Sequence, residues 1–436
     1  MAEQKGVSRR AFLQGAGGAA LGGLVVGGGA GYLLAPGSSP AGTGVSAKGK
    51  PITIGSISPT TGSFSFDGQM MHNGQLLAVE ELNASGGVLG SQVDVTLIDE
   101  ENPFSPSAMI ADCSRLISSG VAAIFAGWLT VSSSEFPEVA KSGMPFFHVN
   151  TYQPNLDFVK EHGYTNIFEG DPSNIWYGGG FIPILDQFVA KGIWKPRRKT
   201  MALLTNTDPY NVQIVKDLQS GLTKAGWRTT LYQEFTSPVA DWTSVLTKIR
   251  QTPPDLIFIG DYLPGDISTF TKQFRQSPTP SILYEQFGPS TPQYLSLTGT
   301  AANGVMWSTV TGTLPDDIGT SFKTKFQARF GTPPDLSVAG NMYDLVHIWA
   351  RAVEAAGDPY DFKGVVENVQ TIIHRGVNGA YTFTPGEQAV PPYPDQVADP
   401  SLGMPHLTYQ IQDMKQVLVS PAPYASGQLQ LPPWFH

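Results

Sequence analysis

The chain has 436 residues, of which 41% are hydrophobic and 14% are charged, and its net charge is −9 at pH 7. This length allows two or three domains with sizeable cores. The acidic balance argues against nucleic acid or anionic lipid as a partner. The single cysteine, Cys113, excludes an internal disulfide.

Residues 1–47 are predicted to be an export signal and a flexible tether rather than part of the fold. Arg9 and Arg10 precede Phe12 and a Gly- and Ala-rich, mildly hydrophobic stretch. This pattern resembles the twin-arginine export signal. We therefore expect the twin-arginine translocase as an export partner, and a final location in the periplasm or at the cell surface or outside the cell. Cleavage of the signal and its retention as an anchor both remain open.

From Pro51 onwards, strand patterns alternate with helix patterns. The predicted strands include 51–57, 93–98, 122–125, 200–205, 229–232 and 255–260. The predicted helices include 69–83, 106–119, 212–225, 242–250, 318–330 and 341–356. Alternation at this spacing is typical of right-handed βαβ units and parallel sheets. The sequence thus predicts two similar α/β units in series, with a crossing near 168–173.

The junction between a predicted strand and a predicted helix at 126–134 is a candidate binding segment. In a parallel sheet the carboxyl end of a strand meets the amino end of a helix, where free N–H groups and the helix dipole attract ligands. Hydroxyl groups at Thr130 and at 132–134 would add donors there. We expect a small anionic or carbonyl-bearing group at this point. For the serines, simple capping of the helix is the alternative interpretation.

Several segments match one known family. The most specific is the string from Glu80 to Gly90, and weaker matches lie at 55–62, 127–134, 208–210 and 260–262. Together with the export signal and the two α/β units, they resemble a type I periplasmic solute-binding protein of an ABC importer. The likeness extends to the leucine/isoleucine/valine-binding branch and to the urea- or amide-binding branch.

The resemblance implies an α/β fold of two Rossmann-like lobes joined by a hinge, in a Venus-flytrap arrangement. The boundaries that we predict place 51–170 and 288–378 in lobe 1, and 171–287 and 379–436 in lobe 2. The implied ligand-binding residues are Phe66, Asp67, Trp128, Thr130, Val131, Thr151, Tyr152, Asn174, Tyr210, Tyr262 and Glu285.

Roles for some of these residues follow from the same resemblance. The hydroxyl of Thr130 and the amide of Val131 would hold a carboxylate or carbonyl of the ligand. Glu285 would pair with an ammonium group of the ligand. Gln286 is the alternative, because the match to the family can shift by one residue at this point. The aromatic pair at 176–177 is interpreted as packing rather than as ligand wall.

The resulting interpretation is a substrate-binding protein outside the cytoplasm that is not an enzyme. It would capture a small polar solute, either a branched-chain amino acid or a short amide or urea-like compound, and deliver it to the permease subunits of the importer. The ligand would shift an equilibrium between open and closed lobes. No cofactor, metal or nucleic acid is expected. The alternatives are an exported ligand sensor without transport and a twin-arginine-exported enzyme.

Overall fold

The structure is a computed structural model. It describes residues 49–102, 105–128, 133–383, 386 and 388–435. The predicted export signal and tether at 1–47 lie outside the described residues, as do the predicted contact residues Thr130 and Val131. In the part of the chain that is described, we find no helix with the length and apolar character needed to cross a membrane.

Strands occur along the whole described chain. In order they are β1 (Ile52–Ser58), β2 (Val93–Asp99), β3 (Ile124–Ala126), β4 (Phe146–His148), β5 (Ile167–Glu169), β6 (Thr200–Asn206), β7 (Arg228–Phe235), β8 (Leu256–Gly260), β9 (Ile282–Glu285), β10 (Met306–Thr309), β11 (Ile373–Arg375), β12 (Ala380–Thr382), β13 (Pro392–Tyr393), β14 (Met404–Pro405), β15 (Leu407–Gln412) and β16 (Lys415–Ser420). The predicted strands at 51–57, 93–98, 200–205 and 255–260 correspond to β1, β2, β6 and β8.

Helices connect most of these strands. In order they are α1 (Ser65–Ala84), α2 (Pro106–Ser119), α3 (Phe136–Ser142), α4 (Gln153–His162), α5 (Ile175–Gly179), α6 (Ile182–Ala190), α7 (Pro209–Lys224), α8 (Thr243–Gln251), α9 (Pro264–Gln276), α10 (Pro292–Thr298), α11 (Asp317–Phe330), α12 (Val338–Ala356) and α13 (Phe362–Val369). Helix α2 has the bounds that were predicted for it, because Ser105 and Pro106 open it and Gly120, at φ 73°, ends it.

The first sheet has the strand order β2-β1-β3-β4-β5, and all of its strands are parallel. Helices α1 and α12 cover one face of it. They approach closely at Gly74, where an added Cβ would lie 2.0 Å from the carbonyl oxygen of Ala339. Helices α2 and α3 cover the other face, where Cys113 is buried. This sheet and its helices form the first lobe.

The second sheet has the order β16-β15-β10-β9-β8-β6-β7. Strands β6 to β10 are parallel, and β15 and β16 are antiparallel additions at one edge. One hydrophobic core lies on each face, built around Tyr284 on one side and Leu283 on the other. This sheet and its helices form the second lobe, so the two-lobed α/β fold predicted from the sequence is confirmed.

The predicted lobe boundary at 288 differs from the structure. Strand β10 pairs with β9 and with β15, so the segment from 288 to 309 lies in the second lobe rather than the first. Conversely, Val390 and Met404 pack in the core of the first lobe before the chain enters β15. Local patterns do not reveal this arrangement because β10 finds its antiparallel partner about a hundred residues later in the chain.

Among the described residues, the chain passes between the sheets after β5, after β10 and ahead of β15. Near the last passage, four buried side chains form a continuous hydrogen-bonded series that we name the crossing network: Asp395, His406, Ser308 and Tyr284. Asp395 Oδ2 lies 2.7 Å from His406 Nδ1, and His406 Nε2 lies 2.8 Å from Ser308 Oγ. The Tyr284 hydroxyl lies 2.6 Å from the same Ser308 oxygen. The network ties the segment ahead of β15 to the second sheet.

Candidate functional site

A cavity of about 210 Å³ lies between the two lobes. Its walls come from segments that follow the carboxyl ends of parallel strands in both sheets, which is where ligands of open α/β sheets bind. From the first lobe they follow β1, β3, β4 and β5, and from the second lobe they follow β6, β8, β9 and β10.

The cavity brings together six of the predicted contact residues: Phe66, Asp67, Trp128, Thr151, Tyr210 and Tyr262. Three others, Tyr152, Asn174 and Glu285, do not belong to its lining. Thr130 and Val131 stay predictions because they lie outside the described residues.

The first-lobe wall begins with the amino end of α1. Gly68 lets this end approach the preceding loop, because an added Cβ would lie 2.0 Å from the carbonyl oxygen of Pro59. Phe66 and Asp67 thereby reach the cavity. Burial, with a smaller contribution from the nearby carboxylate of Asp335, raises the pKa of Asp67 to about 7.

Two further first-lobe residues present buried polar atoms to the cavity. Trp128 Nε1 and Asn150 Nδ2 have no hydrogen-bond partner among the described residues, and both side chains line the cavity. Ser133, which was predicted to bind or to cap a helix, instead donates its hydroxyl to Asn155 Oδ1 at 2.6 Å. Unpartnered donors in a buried site are costly unless another molecule accepts from them.

The second-lobe wall is built around Asp208, Tyr210 and Tyr262. Asp208 begins α7 by accepting the Tyr210 amide at 3.0 Å, and it also accepts the Tyr262 hydroxyl at 2.5 Å. The rings of Tyr210 and Tyr262 lie 6.2 Å apart, edge to face. The loops after β6 and β8 therefore form one connected surface.

The lobes touch each other across this cavity. The hydroxyl groups of Thr151 and Tyr210 lie 2.6 Å apart, and the rings of Phe64 and Tyr262 lie 6.1 Å apart. Each contact joins a first-lobe residue to a second-lobe residue. The structure thus describes the lobes in a closed arrangement.

At the end of β9 the structure distinguishes Glu285 from Gln286. Successive residues of a strand point to opposite sides. Gln286 lines the cavity, whereas Glu285 is buried behind it and accepts a hydrogen bond from Thr271 on α9. Burial raises the pKa of Glu285 to about 8. Neither Gln286 Oε1 nor Gln286 Nε2 has a partner among the described residues.

Tyr152 and Asn174 lie next to the cavity and connect its parts. The Asn174 side chain donates to the Tyr210 carbonyl at 3.1 Å and accepts the Gln153 amide at 3.1 Å. The Tyr152 ring lies 6.2 Å from the Tyr210 ring. In this closed arrangement, both residues support the position of Tyr210.

Several residues of the cavity wall were not among the predicted contacts, and Asp171 and Tyr177 are two of them. Tyr177 was interpreted as packing only, but its side chain also lines the cavity. Asp171 lies two residues beyond the end of β5, so its position at a strand end, which drew attention to the other loops, could have identified it. Asp171 Oδ2 accepts from Asn341 Nδ2 at 3.1 Å, and burial raises the pKa of Asp171 well above its ordinary value despite that bond.

The described lining is acidic and aromatic. It contains three carboxylates, Asp67, Asp171 and Asp208, and none of its described residues is Lys, Arg or His. No cluster of ligands suited to a metal ion occurs in the part of the chain that the structure describes. Such a surface is suited to hydrogen-bond donors and positive charge in a small organic molecule.

A cavity enclosed by two α/β lobes, with polar groups from both, defines a hinged solute-binding protein. A family model described as "Periplasmic binding protein" matches residues 51–394. The chain belongs to this family. Membership implies an exported, periplasmic protein, and the relatives compared below are solute-binding proteins rather than enzymes.

Three relatives illustrate the likeness. The leucine-, isoleucine-, valine-, threonine- and alanine-binding protein of Pseudomonas aeruginosa is 21% identical over 70% of this chain and 79% of its own. A crystal structure from Silicibacter pomeroyi, named for a branched-chain amino acid ABC transporter, is 31% identical with a TM-score of 0.83, over 88% of this chain and all of that one. The LivJ binding protein of Streptococcus pneumoniae, in complex with isoleucine, shares the fold at 19% identity, with a TM-score of 0.67 over 85% of this chain and 100% of its own.

Proposed function

We propose that the chain is the substrate-binding protein of an ABC importer that captures a branched-chain amino acid or a short amide or urea-like compound. The cavity of about 210 Å³ is smaller than the roughly 300–1,000 Å³ of sites for drug-sized ligands, so it suits one small solute. The names of the Pseudomonas and Silicibacter relatives support the amino-acid class.

The observation that carries the proposal is the set of unpartnered polar atoms in a closed cavity. Trp128 Nε1, Asn150 Nδ2 and the side-chain amide of Gln286 have no partner among the described residues. Each such group costs about 1–3 kcal/mol when it is buried without a hydrogen bond. A solute that carries both acceptors and donors would satisfy them, and its binding would favour the closed lobes.

Closure itself is proposed to depend on the second-lobe aromatics. Tyr210 and Tyr262 contact first-lobe residues here, and they would lose those contacts on opening. A ligand that touches both lobes binds the closed form better and shifts the equilibrium towards it. The permease subunits of the importer would then receive the closed, loaded protein.

The remaining expectations are parts of the same proposal. Thr130 and Val131 would hold the carboxylate or carbonyl of the ligand, and the segment at 1–47 would direct the folded protein through the twin-arginine pathway. The lobes would move as units about the passages between the sheets.

A thermal-shift screen of amino acids, short amides, urea and polyols tests the proposal, because a ligand that binds only the native state raises the melting temperature. We expect a shift with branched-chain amino acids or with short amides. Calorimetry should then show that Thr130→Ala weakens binding by ~1–3 kcal/mol. The exposed Thr324→Ala serves as the control that leaves binding unchanged. A screen in which only polyols bind would overturn the proposed solute class.

A further inference from the structure

We infer that the second lobe carries a docking surface for a bilayer that contains anionic phospholipids. The surface, which we name the basic pole, consists of the side chains of Lys191, Lys195, Arg197, Arg198, Lys199, Lys224 and Arg228. It lies at the amino ends of the second-lobe strands, on the edge of the sheet opposite the cavity. The inference goes beyond solute capture and does not depend on which solute binds.

The topology of the second lobe brings these cations to one place. Five of them lie in the connection between α6 and β6, and Lys224 and Arg228 flank the turn between α7 and β7. Strands β6 and β7 are parallel neighbours, so their amino ends lie side by side. The Arg228 amide donates to the Lys199 carbonyl at 2.9 Å, and Lys199 Nζ donates to the Ala225 carbonyl at 3.2 Å. The two connections therefore form one surface.

Acidic residues are nearly absent from this edge of the sheet. The chain has 36 Asp and Glu against 27 Lys and Arg, but the connections that directly precede β6, β7, β8 and β9 contain a single acid, Asp255. Asp255 is buried, and its oxygens accept the backbone amides of Arg197 and Arg198 at 2.7 and 2.9 Å. The net charge of −9, which argued against anionic lipid, is an average that does not reveal this concentration of cations.

The cations of the basic pole are available to an outside partner. All seven side chains are exposed, and those of Lys195 and Arg198 form no hydrogen bond or ion pair among the described residues. The exposed Asp186 on α6 is the acid nearest in sequence, and it offsets only one of the seven positive charges. Exposed cations that are not paired inside the protein create a positive potential that attracts anions.

The composition of the surface favours a bilayer over a single anion or a nucleic acid. Val189 is 44% exposed and Ile193 is half-buried, and both lie in sequence beside Lys191. Apolar side chains among Lys and Arg are typical of surfaces that enter the headgroup region of a membrane. The rings of Trp194 and Trp227 lie 6.2 Å apart and join the two connections. In the periplasm, which family membership implies, membranes rather than nucleic acids present such a partner.

The position of the basic pole also decides what docking does to the cavity. The pole lies at the amino ends of the second-lobe strands, and the cavity lies beyond their carboxyl ends. A protein docked through the pole therefore has its cavity directed away from the bilayer. Solute can enter and leave the cavity while the protein is held at the membrane.

Flotation of the full chain with lipid vesicles tests the inference. Vesicles of phosphatidylcholine alone are compared with vesicles that also contain about 40% phosphatidylglycerol, which is anionic. We expect about tenfold or more tighter binding to the anionic vesicles at about 50 mM NaCl. At about 500 mM NaCl this difference should disappear, because salt screens exposed charges.

A double variant locates the binding surface. Lys195→Glu with Arg198→Glu reverses two exposed charges, and we expect it to weaken binding to anionic vesicles about tenfold or more. The control is Lys141→Glu with Lys160→Glu, which makes the same change in net charge on exposed first-lobe residues. It should weaken binding less than about threefold. The segment at 1–47 is present in every variant, so any contribution from it cancels in the comparison.

Hydrogen exchange tests the orientation of the docked protein. Anionic vesicles should slow exchange at 191–199 and leave the loops that line the cavity unchanged. Slower exchange at the cavity loops, without a change at 191–199, would overturn the inference even if the vesicles bind. This measurement needs only the wild-type protein.

Several other outcomes would overturn the inference. They are no binding to vesicles, equal binding to both kinds of vesicle, binding that salt does not weaken, and equal losses in the two double variants. Loss of binding in about 10 mM phosphate, but not in chloride of equal ionic strength, would indicate a site for a free anion instead. Equally tight binding of duplex DNA would indicate a general attraction to polyanions. None of these measurements involves a solute, so the inference can fail while the proposed function stands.

Discussion

Two groups of buried polar side chains in this protein, those of the interlobe cavity and those of the crossing network, differ in how completely they are hydrogen-bonded. In the crossing network, Asp395, His406 and Ser308 each bond the next member at 2.6–2.8 Å. In the cavity, Trp128 and Gln286 have polar atoms without a partner among the described residues. Trp128 is half-buried, but Gln286 is as buried as His406 and Ser308 and differs from them in its lack of side-chain hydrogen bonds.

This difference distinguishes buried polar groups that stabilise the fold from those that bind a ligand. A buried polar group that is hydrogen-bonded inside the protein stabilises one arrangement of the chain, and its removal leaves an expensive unpaired partner. A buried polar group without an internal partner destabilises the unligated protein and can be compensated only by another molecule. The crossing network should therefore respond to mutation through the free energy of unfolding, and the cavity through affinity.

The largest expected effect is in the crossing network. Asp395→Ala removes the partner of His406 Nδ1, at a site where both side chains are at most 6% exposed. We expect the free energy of unfolding to fall by about 3 kcal/mol, as for other buried pairs that lose one member. Ligand affinity of the folded fraction should change less than about threefold. Denaturant unfolding and calorimetry measure the two quantities.

The exposed Asp399→Ala is the matched control for this experiment and should change the free energy of unfolding much less than Asp395→Ala. Equal effects of the two substitutions would contradict the structural role of the crossing network. A large loss of affinity without a loss of stability would contradict it as well.

Glu285 should make the free energy of unfolding depend on pH, by an amount similar to the effect of Asp395→Ala. Burial raises its pKa from 4.5 to about 8, so the folded protein keeps this proton to higher pH than the unfolded chain does. Stability should accordingly fall as pH rises from about 4 to about 8. Glu285→Gln mimics the protonated form, and we expect it to flatten that decline and to raise the free energy of unfolding at pH 9 by about 2–4 kcal/mol.

Part of the decline should remain in Glu285→Gln, because burial also raises the pKa of Asp261 to about 7. The control is Glu234→Gln, a change of an exposed side chain on β7 that should leave the pH profile unaltered. A Glu285→Gln profile that runs parallel to the wild-type profile from pH 4 to pH 9 would show that Glu285 is not buried as described.

The glutamine pair Gln286 and Gln410 allows the sharpest test of the comparison. Both side chains are buried. That of Gln410 donates to the Gln430 carbonyl and accepts from the Gln430 backbone amide, whereas the side-chain amide of Gln286 has no partner among the described residues. Gln286→Leu should leave the free energy of unfolding equal or raise it by up to about 1 kcal/mol while it weakens ligand binding about tenfold.

Gln410→Leu should do the reverse, with a loss of about 1–2 kcal/mol of stability and little change in affinity. Thermal unfolding without ligand and calorimetry with ligand provide both numbers for each variant. If the two substitutions have the same pattern, hydrogen-bond completeness does not distinguish the cavity from the rest of the interior.

The smallest effect concerns the contact between lobes. Tyr210→Phe removes the hydroxyl that lies 2.6 Å from Thr151 Oγ1 and keeps the ring that packs on Tyr262. We expect affinity to fall by about 1 kcal/mol, because one hydrogen bond of the closed form is lost. Tyr232→Phe, which removes an exposed hydroxyl bonded to Glu234, should have no effect on binding. An unchanged Kd for Tyr210→Phe would show that this contact does not help closure.

The sequence predicted much of the fold because the signals that matter there are local. Helix α2 could be delimited from Ser105, Pro106 and Gly120 alone. Tyr210 and Tyr262, which the family resemblance implied as contacts, both line the cavity, and each follows a buried strand of a parallel sheet. Such signals lie in neighbouring residues, so they can be recognised without knowledge of distant contacts.

Other features depend on information that local patterns lack. Whether Glu285 or Gln286 reaches the cavity depends on the phase of a short strand, and a shift of one residue exchanges their roles. The place of β10 is decided by its pairing with β15, far along the chain. The position of Asp171 after β5 is visible in the sequence, but its bond to Asn341, 170 residues away, is not.

Trp128 has a practical consequence. Its indole nitrogen is buried against the cavity without a partner among the described residues, so a solute that accepts from it alters the surroundings of a natural fluorophore. The chain contains eight tryptophans, and one of them sits where solute arrives. Ligand binding to the unlabelled protein should therefore change its tryptophan fluorescence. The rate of association could then be measured by stopped-flow fluorescence without any added dye.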